Sequence, residues 1–260
     1  MNTAATTHTQ TEKTVLITGC SSGYGLETAR RFHAEGWKVI ATMRTPREDV
    51  LPRSERLRVL PLDVTRPESI AAAIEAAGPI DVLVNNAGLG LFGAFEATPM
   101  ATVREIFETN TFGMMAMAQA VLPQFRARKA GLLINVTSTV TLAPMPLVAA
   151  YTACKTAITG FSESLALELA PFHIGVKLVE PGYGPGTRFT ANGAERMQGL
   201  IPEAYAPLAQ NIFAGLGGLT AVTTAEDVAE AVWLAANDVS GRQRYPAGAD
   251  AVALSRTAAA

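Results

Sequence analysis

The chain has 260 residues, 48% of them hydrophobic and 17% charged, which is ample apolar material for a sizeable core. A formal net charge of -2 argues against nucleic acid or an anionic membrane surface as the main partner. Two distant cysteines, Cys20 and Cys154, and three scattered histidines, His8, His33 and His173, offer neither a disulfide framework nor a metal-ligand spacing.

Met1 to Lys13 is polar and Thr-rich and lacks the apolar core of a secretory signal, so residues 1–13 read as a flexible leader ahead of a single domain, residues 14–260. Val15-Leu16-Ile17 is a short buried strand, followed at once by a glycine-rich turn. Leu26 to Glu35 reads as a helix stopped by Gly36. Lys38 to Met43 and Arg58 to Leu62 are strands, and Pro67 to Ala77 is a helix with proline in its first turn. Asp81 to Val84 is the fourth strand and ends in Asn85-Asn86-Ala87-Gly88. Thr102 to Arg128 is one long helical stretch that Pro123 is expected to kink or end. Leu132 to Val136 is a strand, Ala149 to Ala170 a helix stopped by Pro171, and Ile174 to Val179 the sixth strand. Gly182 to Thr223 breaks the rhythm with glycines and prolines and reads as a substrate lid. Ala225 to Ala236 is the last clear helix, capped by Thr224 or Thr223, and a final strand is expected near Arg242 to Tyr245.

Strands alternate with helices throughout, and the strands are continuous apolar runs, as both-faces-covered parallel strands should be. The expected fold is α/β: a doubly wound Rossmann-type parallel sheet of about seven strands with helices on both faces. No apolar run approaches the roughly 20 residues that span a bilayer, and the expected location is the cytoplasm.

Thr18-Gly19-Cys20-Ser21-Ser22-Gly23-Tyr24-Gly25 joins the first strand to the first helix. At that place in a doubly wound sheet, missing side chains let the backbone approach a dinucleotide pyrophosphate, and the helix N-terminus attracts its charge. The second strand ends at Met43-Arg44, 19 residues beyond Gly25. An acid there would accept hydrogen bonds from the ribose of NAD, whereas a guanidinium grips the 2′-phosphate of NADP. Arg44 therefore points to NADP(H), with Arg47 a weaker second candidate.

Tyr151 and Lys155 stand four apart on one helix face, and Ser138 closes the strand-end run Asn135-Val136-Thr137-Ser138. A free phenol has a pKa of about 10, and a neighbouring ammonium is expected to lower it. Tyr151 could then give a proton to a carbonyl oxygen or take one from an alcohol, while the Ser138 hydroxyl orients that oxygen. Thr137 and Thr139 are nearby alternatives for Ser138.

The Gly-x-x-x-Gly-x-Gly turn, Asn85-Asn86-Ala87-Gly88, Ser138 and Tyr151-x-x-x-Lys155 occur in order, and together they resemble the short-chain dehydrogenase/reductase family from about Thr14 to Tyr245. The resemblance implies that Gly19, Ser21, Ser22, Gly23, Tyr24 and Gly25 cradle the cofactor, that Asp63 and Val64 meet the adenine, and that Asn86 and Gly88 line the site. It implies that Lys155 holds the nicotinamide ribose beside Tyr151, and that Asn110 holds a water relaying protons to Lys155. Pro181-Gly182 matches the family's turn after the sixth strand. Thr187 matches the threonine that contacts the nicotinamide carboxamide, although it falls one residue later than the commonest spacing and backbone atoms are the alternative there. A homotetramer or dimer is expected from the same resemblance, with the helices Thr102–Arg128 and Ala149–Ala170 at the interface.

Three segments should surround the nicotinamide: Leu89, Leu91, Phe92 and Phe95; Val140, Leu142 and Met145; and Tyr183, Phe189, Met197 and Tyr205. They are apolar and aromatic, so the expected activity is NADPH-dependent reduction of a hydrophobic ketone, or oxidation of the secondary alcohol. Two alternatives stand beside it: a non-catalytic NADP-binding sensor or scaffold, and an NADP-using epimerase or dehydratase.

Overall fold

The strand pattern closes into one sheet in the computed structural model, which describes residues 12–187, 193 and 196–258. The strands are β1 (Thr14–Ile17), β2 (Lys38–Met43), β3 (Leu57–Pro61), β4 (Val82–Asn85), β5 (Gly131–Val136), β6 (Ile174–Pro181) and β7 (Arg244–Ala247). They lie in the order β3-β2-β1-β4-β5-β6-β7, and every neighbouring pair is parallel. The chain leaves β1 toward β2 in one direction and returns to β4 on the other side. The crevice at that switch point is where ligands of such sheets bind.

Eight helices among the described residues cover the two faces: α1 (Gly23–Ala34), α2 (Pro67–Ala77), α3 (Met100–Phe107), α4 (Gly113–Arg128), α5 (Ala149–Leu169), α6 (Ala206–Gly217), α7 (Ala225–Asn237) and α8 (Ala249–Ala258). Alternation along β1 divides the core. Val15 and Ile17 pack under α1 and α7, while Leu16 packs under α2, α4 and α5. Leu16 and Ile17 are both fully buried, and each such burial is worth roughly 1.5–3 kcal/mol. Phe32, Trp37 and Trp233 meet edge to face with centroids 5.1–5.9 Å apart, fastening the last turn of α1 to α7.

The long helical stretch departs from expectation. Its break lies not at Pro123 but at a π-helical turn, Glu108–Phe112, between α3 and α4. Pro123 sits inside α4 on its exposed side, where water can satisfy the carbonyl it leaves unpaired, while Met114, Met117, Val121 and Phe125 anchor the opposite side. The π turn instead carries Asn110 into the interior, the kind of place where such turns concentrate. The stretch 182–223 contains the helix α6, and a further helix, α8, follows β7, so Ala225–Asn237 is not the last. Thr224, rather than Thr223, caps α7 in a reciprocal box with Asp227.

Candidate active site

The glycine turn is built by close approach. Gly19 has φ +77°, and a Cβ there would stand 2.8 Å from the Ala87 Cα. A Cβ on Gly25 would overlap the Gly19 carbonyl oxygen and the Asn86 amide. Asn86 is the partner that closes this packing: its Nδ2 donates to the Thr18 oxygen at 2.9 Å, and its backbone N–H donates to Thr18 Oγ1 at 2.9 Å. Ser21 is exposed, and Ser22 starts α1 in extended backbone without capping it, so the first N–H groups from Gly23 and Tyr24 onward are left for a ligand.

Arg44 stands exposed just past β2. Among the described residues it makes no hydrogen bond or ion pair, although its charge helps hold the Asp63 and Glu105 carboxyls below their usual range. Arg47, by contrast, is paired with Asp49 at 3.0 Å. Asp63 accepts from the Thr65 N–H and hydroxyl at 3.0 and 2.7 Å, which fixes the loop after β3. The Val64 side chain is buried against Gly113, so only its backbone is available to a ligand.

Tyr151, on the first turn of α5, is hydrogen-bonded to the Ser138 side chain at the end of β5. Of the two alternatives to Ser138, Thr137 is occupied elsewhere: its hydroxyl donates to the Val179 oxygen at 3.2 Å. The Lys155 ammonium is buried and donates to the Val136 oxygen at 2.9 Å, 5.9 Å from the centre of the Tyr151 ring. Burial pulls it down to about 8.

The expected lowering of the phenol is not what these positions produce. Burial, then the neighbouring Cys154 and Tyr24, push Tyr151 above its ordinary value, and only the bond to Ser138 opposes them. Lys155 is turned toward β5, and its charge does not offset burial. These surroundings thus favour the neutral phenol over the phenolate.

Asn110 is fully buried, and its side chain is spent: Oδ1 accepts from the Leu89 N–H at 2.7 Å, and Nδ2 donates to the Leu89 oxygen at 2.8 Å. It pins the loop after β4 to the π turn beside Gly88, and its Nδ2 also lies 3.4 Å from the sulfur of Cys154, the neighbour of Lys155. A Cβ on Gly88 would sit 3.2 Å from Asn110 Oδ1 and 3.8 Å from Lys155 Nζ, so these three residues share one corner.

Pro181 ends β6. The Gly182 N–H donates to Thr223 Oγ1 at 3.0 Å, and the Thr187 hydroxyl donates to the Gly184 oxygen at 2.9 Å. Thr187 Cβ lies 3.8 Å from the Cβ position of Gly23, which brings the loop after β6 over the start of α1. Of the expected substrate-facing residues, Leu91 and Val140 are buried, Phe92 stacks on Phe213 of α6 at 4.8 Å, and Phe95 is 58% exposed. Phe189 lies outside the described residues. Sequence reading did not single out Asp250 or Phe213, which are brought to this end of the sheet by contacts no spacing encodes.

These residues fit a nicotinamide dinucleotide. The glycine turn and the uncapped α1 form a cradle that side chains would fill, and the Lys155 ammonium uses only one of its three donors among the described residues. A glycine-rich cradle thus lies at the switch point of a doubly wound parallel sheet, with a tyrosine, a lysine and a serine assembled beside it.

The comparisons agree. The profile of the family described as short chain dehydrogenase matches residues 13–198. A 3-ketodihydrosphingosine reductase from Bacteroides thetaiotaomicron is 42% identical over 182 residues, 68% of this chain and 66% of that protein. Retinol dehydrogenase 8 from Bos taurus is 40% identical over 184 residues, 65% of this chain and 58% of that protein. The chain thus matches less than two thirds of the length of these curated relatives. The crystal structure of a short-chain dehydrogenase from Streptomyces avermitilis superposes with a TM-score of 0.81 at 34% identity, covering 95% of this chain and 92% of that one. Solved neighbours include complexes with NADH and with NADP. The chain belongs to the short-chain dehydrogenase/reductase family, whose fold binds a nicotinamide cofactor. Among the described residues, no helix is long and apolar enough to cross a membrane.

Proposed function

We propose that the protein is an NADPH-dependent carbonyl reductase, reversible as a secondary-alcohol dehydrogenase, acting on a hydrophobic substrate. The observation that carries this reading is the Tyr151 phenol paired with the Ser138 side chain, with the buried Lys155 ammonium 5.9 Å from its ring. When bound, the dinucleotide supplies the hydride. The chain's own part is to hold the substrate oxygen between the Ser138 and Tyr151 hydroxyls and to deliver the Tyr151 proton to that oxygen as charge develops on it. Lys155 offers its remaining donors to a ribose, and Asn110 holds the loop carrying Gly88 and Leu89 against the same corner.

The cofactor preference rests on Arg44, an exposed guanidinium without a described partner at the tip of β2, with no acid in the place of Met43. Asp63, Val64, Asn86, Pro181, Gly182 and Thr187 complete the proposed cofactor contacts. Leu91, Val140 and the Phe92–Phe213 pair supply apolar surface near the site, and the relatives named for 3-ketodihydrosphingosine and retinol support a hydrophobic substrate. The active form is proposed to be a homo-oligomer of single domains, with residues 182–223 covering the substrate.

The test follows NADPH and NADH absorbance with a panel of hydrophobic ketones. Ketone-dependent oxidation, faster with NADPH, is expected; oxidation of neither cofactor with any ketone counts against the reductase reading. Arg44→Ala should raise KM for NADPH by at least about tenfold, through loss of charge-assisted bonds to phosphate, and leave NADH nearly unchanged. Equal effects on both cofactors would remove the case for NADP.

A further inference from the structure

The segment between β6 and α7 leaves the sheet at Gly182–Tyr183 and rejoins the body at Thr223. These two places lie together. The Thr223 N–H donates to the Tyr183 oxygen at 2.8 Å, and the Gly182 N–H donates to Thr223 Oγ1 at 3.0 Å. A third element closes the ring. Asp250, on the first turn of α8, accepts from the Tyr183 N–H at 2.6 Å through Oδ2 and from the Thr223 hydroxyl at 2.7 Å through Oδ1.

An aspartate in a first helical turn is ordinarily a partner for its own helix N-terminus. This carboxylate instead spends both oxygens on residues 67 and 27 positions away. Two glycines make the room. A Cβ on Gly182 would overlap the Asp250 carboxylate, and a Cβ on Gly248, at φ +98°, would overlap the Thr223 hydroxyl. Thr223 itself is 1% exposed. Space, backbone donors and a buried hydroxyl are thus all arranged around one carboxylate. The clamp also touches the cofactor side, since a Cβ on Gly184 would overlap the Tyr24 hydroxyl, and Tyr24 belongs to the glycine turn.

We propose that Asp250 is a positioning residue whose carboxylate clamps the two ends of the segment between β6 and α7, setting how residues 182–187 sit over the start of α1. Its consequence for the dinucleotide rests on the cofactor reading above; the clamp itself does not. Because the loop faces the part common to NADPH and NADH, loosening it weakens both alike, unlike loss of Arg44. The contact is made by hydrogen bonds rather than by charge, which makes asparagine a sufficient replacement. Its oxygen would accept from the Tyr183 N–H, its amide would donate to Thr223, and the Thr223 hydroxyl would turn to the Ala247 oxygen, already 2.9 Å away.

The test compares Asp250→Ala and Asp250→Asn with wild type in two measurements: tryptic cleavage within residues 182–223 of the cofactor-free protein, and dissociation constants for NADPH and NADH by fluorescence. Asp250→Ala leaves the Tyr183 N–H without its acceptor, and the expected results are about tenfold faster cleavage and about tenfold weaker binding of both dinucleotides. Asp250→Asn should stay near wild type in both. If Asp250→Ala does not fold, Thr223→Val takes its place and Thr223→Ser that of the conservative variant. Wild-type behaviour of the disruptive variant, or equal damage from the conservative one, overturns the clamp. If wild type binds neither dinucleotide, the cofactor reading falls, while the cleavage comparison still decides the clamp.

Discussion

The cradle between β1 and α1 and the segment after β6 both face the same crevice but are held by opposite means. The cradle is held by close packing of backbone: Gly19 and Gly25 press against Ala87 and one another, with the Asn86 side chain wedged between, within a few residues of strand ends that the sheet itself fixes. The segment after β6 is held by side chains at its two ends, Thr223 and Asp250, and farther out by Arg196, which pairs with Glu105 of α3 at 2.6 Å. A site common to many substrates can be rigid. A surface that selects among them must be adjustable, and a few side-chain bonds are easier to alter than a sheet edge.

The largest effect is expected at Tyr151, which belongs to neither region and stands beside β5. Tyr151→Phe should lower kcat/KM by about 10²–10⁴-fold, the usual weight of a positioned acid, while NADPH affinity measured by fluorescence changes little. Full activity in this variant would leave the site without its proton donor and return the choice to Ser138.

Next comes the rigid side of the comparison. Gly25→Ala places a methyl into the Gly19 carbonyl, so it should destabilise the fold by about 1–3 kcal/mol or more and abolish dinucleotide binding. Thermal unfolding and cofactor titration read both effects. Should Gly25→Ala bind normally, the cradle is as adjustable as the segment after β6, and the contrast between them fails.

The last effect is on stability alone and is a pH dependence. Burial lowers Lys155 from 10.5 to about 8. Between those values the unfolded chain holds a proton that the folded chain has released, so stability rises as pH climbs through this window. Below pH 8 both states are protonated, and the cost of burying the ammonium is carried in full. Relative to wild type, Lys155→Met should therefore be most favoured at pH 7, and the gap should shrink by on the order of 3 kcal/mol by pH 10.5. Denaturant unfolding of the cofactor-free proteins measures it. A gap independent of pH would mean that the ammonium is solvated rather than held dry in its corner.

Most of the sheet and of the candidate catalytic group was legible in the chain before folding. Strand runs such as Lys38–Met43 and the turn residues after them carry their structure in local pattern, because a parallel strand covered on both faces must be continuously apolar. Tyr151 and Lys155 were legible because helical spacing puts them on one face. Their electrostatics were not. That Lys155 turns to the Val136 oxygen, and that burial raises the phenol instead of the ammonium lowering it, depends on β5 packing under α5. The π turn at Asn110 was hidden for a related reason: Pro123 is the louder local signal, but its exposure on α4 makes it harmless.

The sequence by itself determined the class of fold and pointed to the glycine turn and the candidate trio, since each is written in local pattern along the chain. The tertiary structure alone decided which hydroxyl faces Tyr151, where Asn110 spends its amide, and that Asp250 reaches Tyr183 and Thr223. Those are contacts between elements far apart in the chain, and their geometry exists only after the sheet has brought the strand ends to one edge.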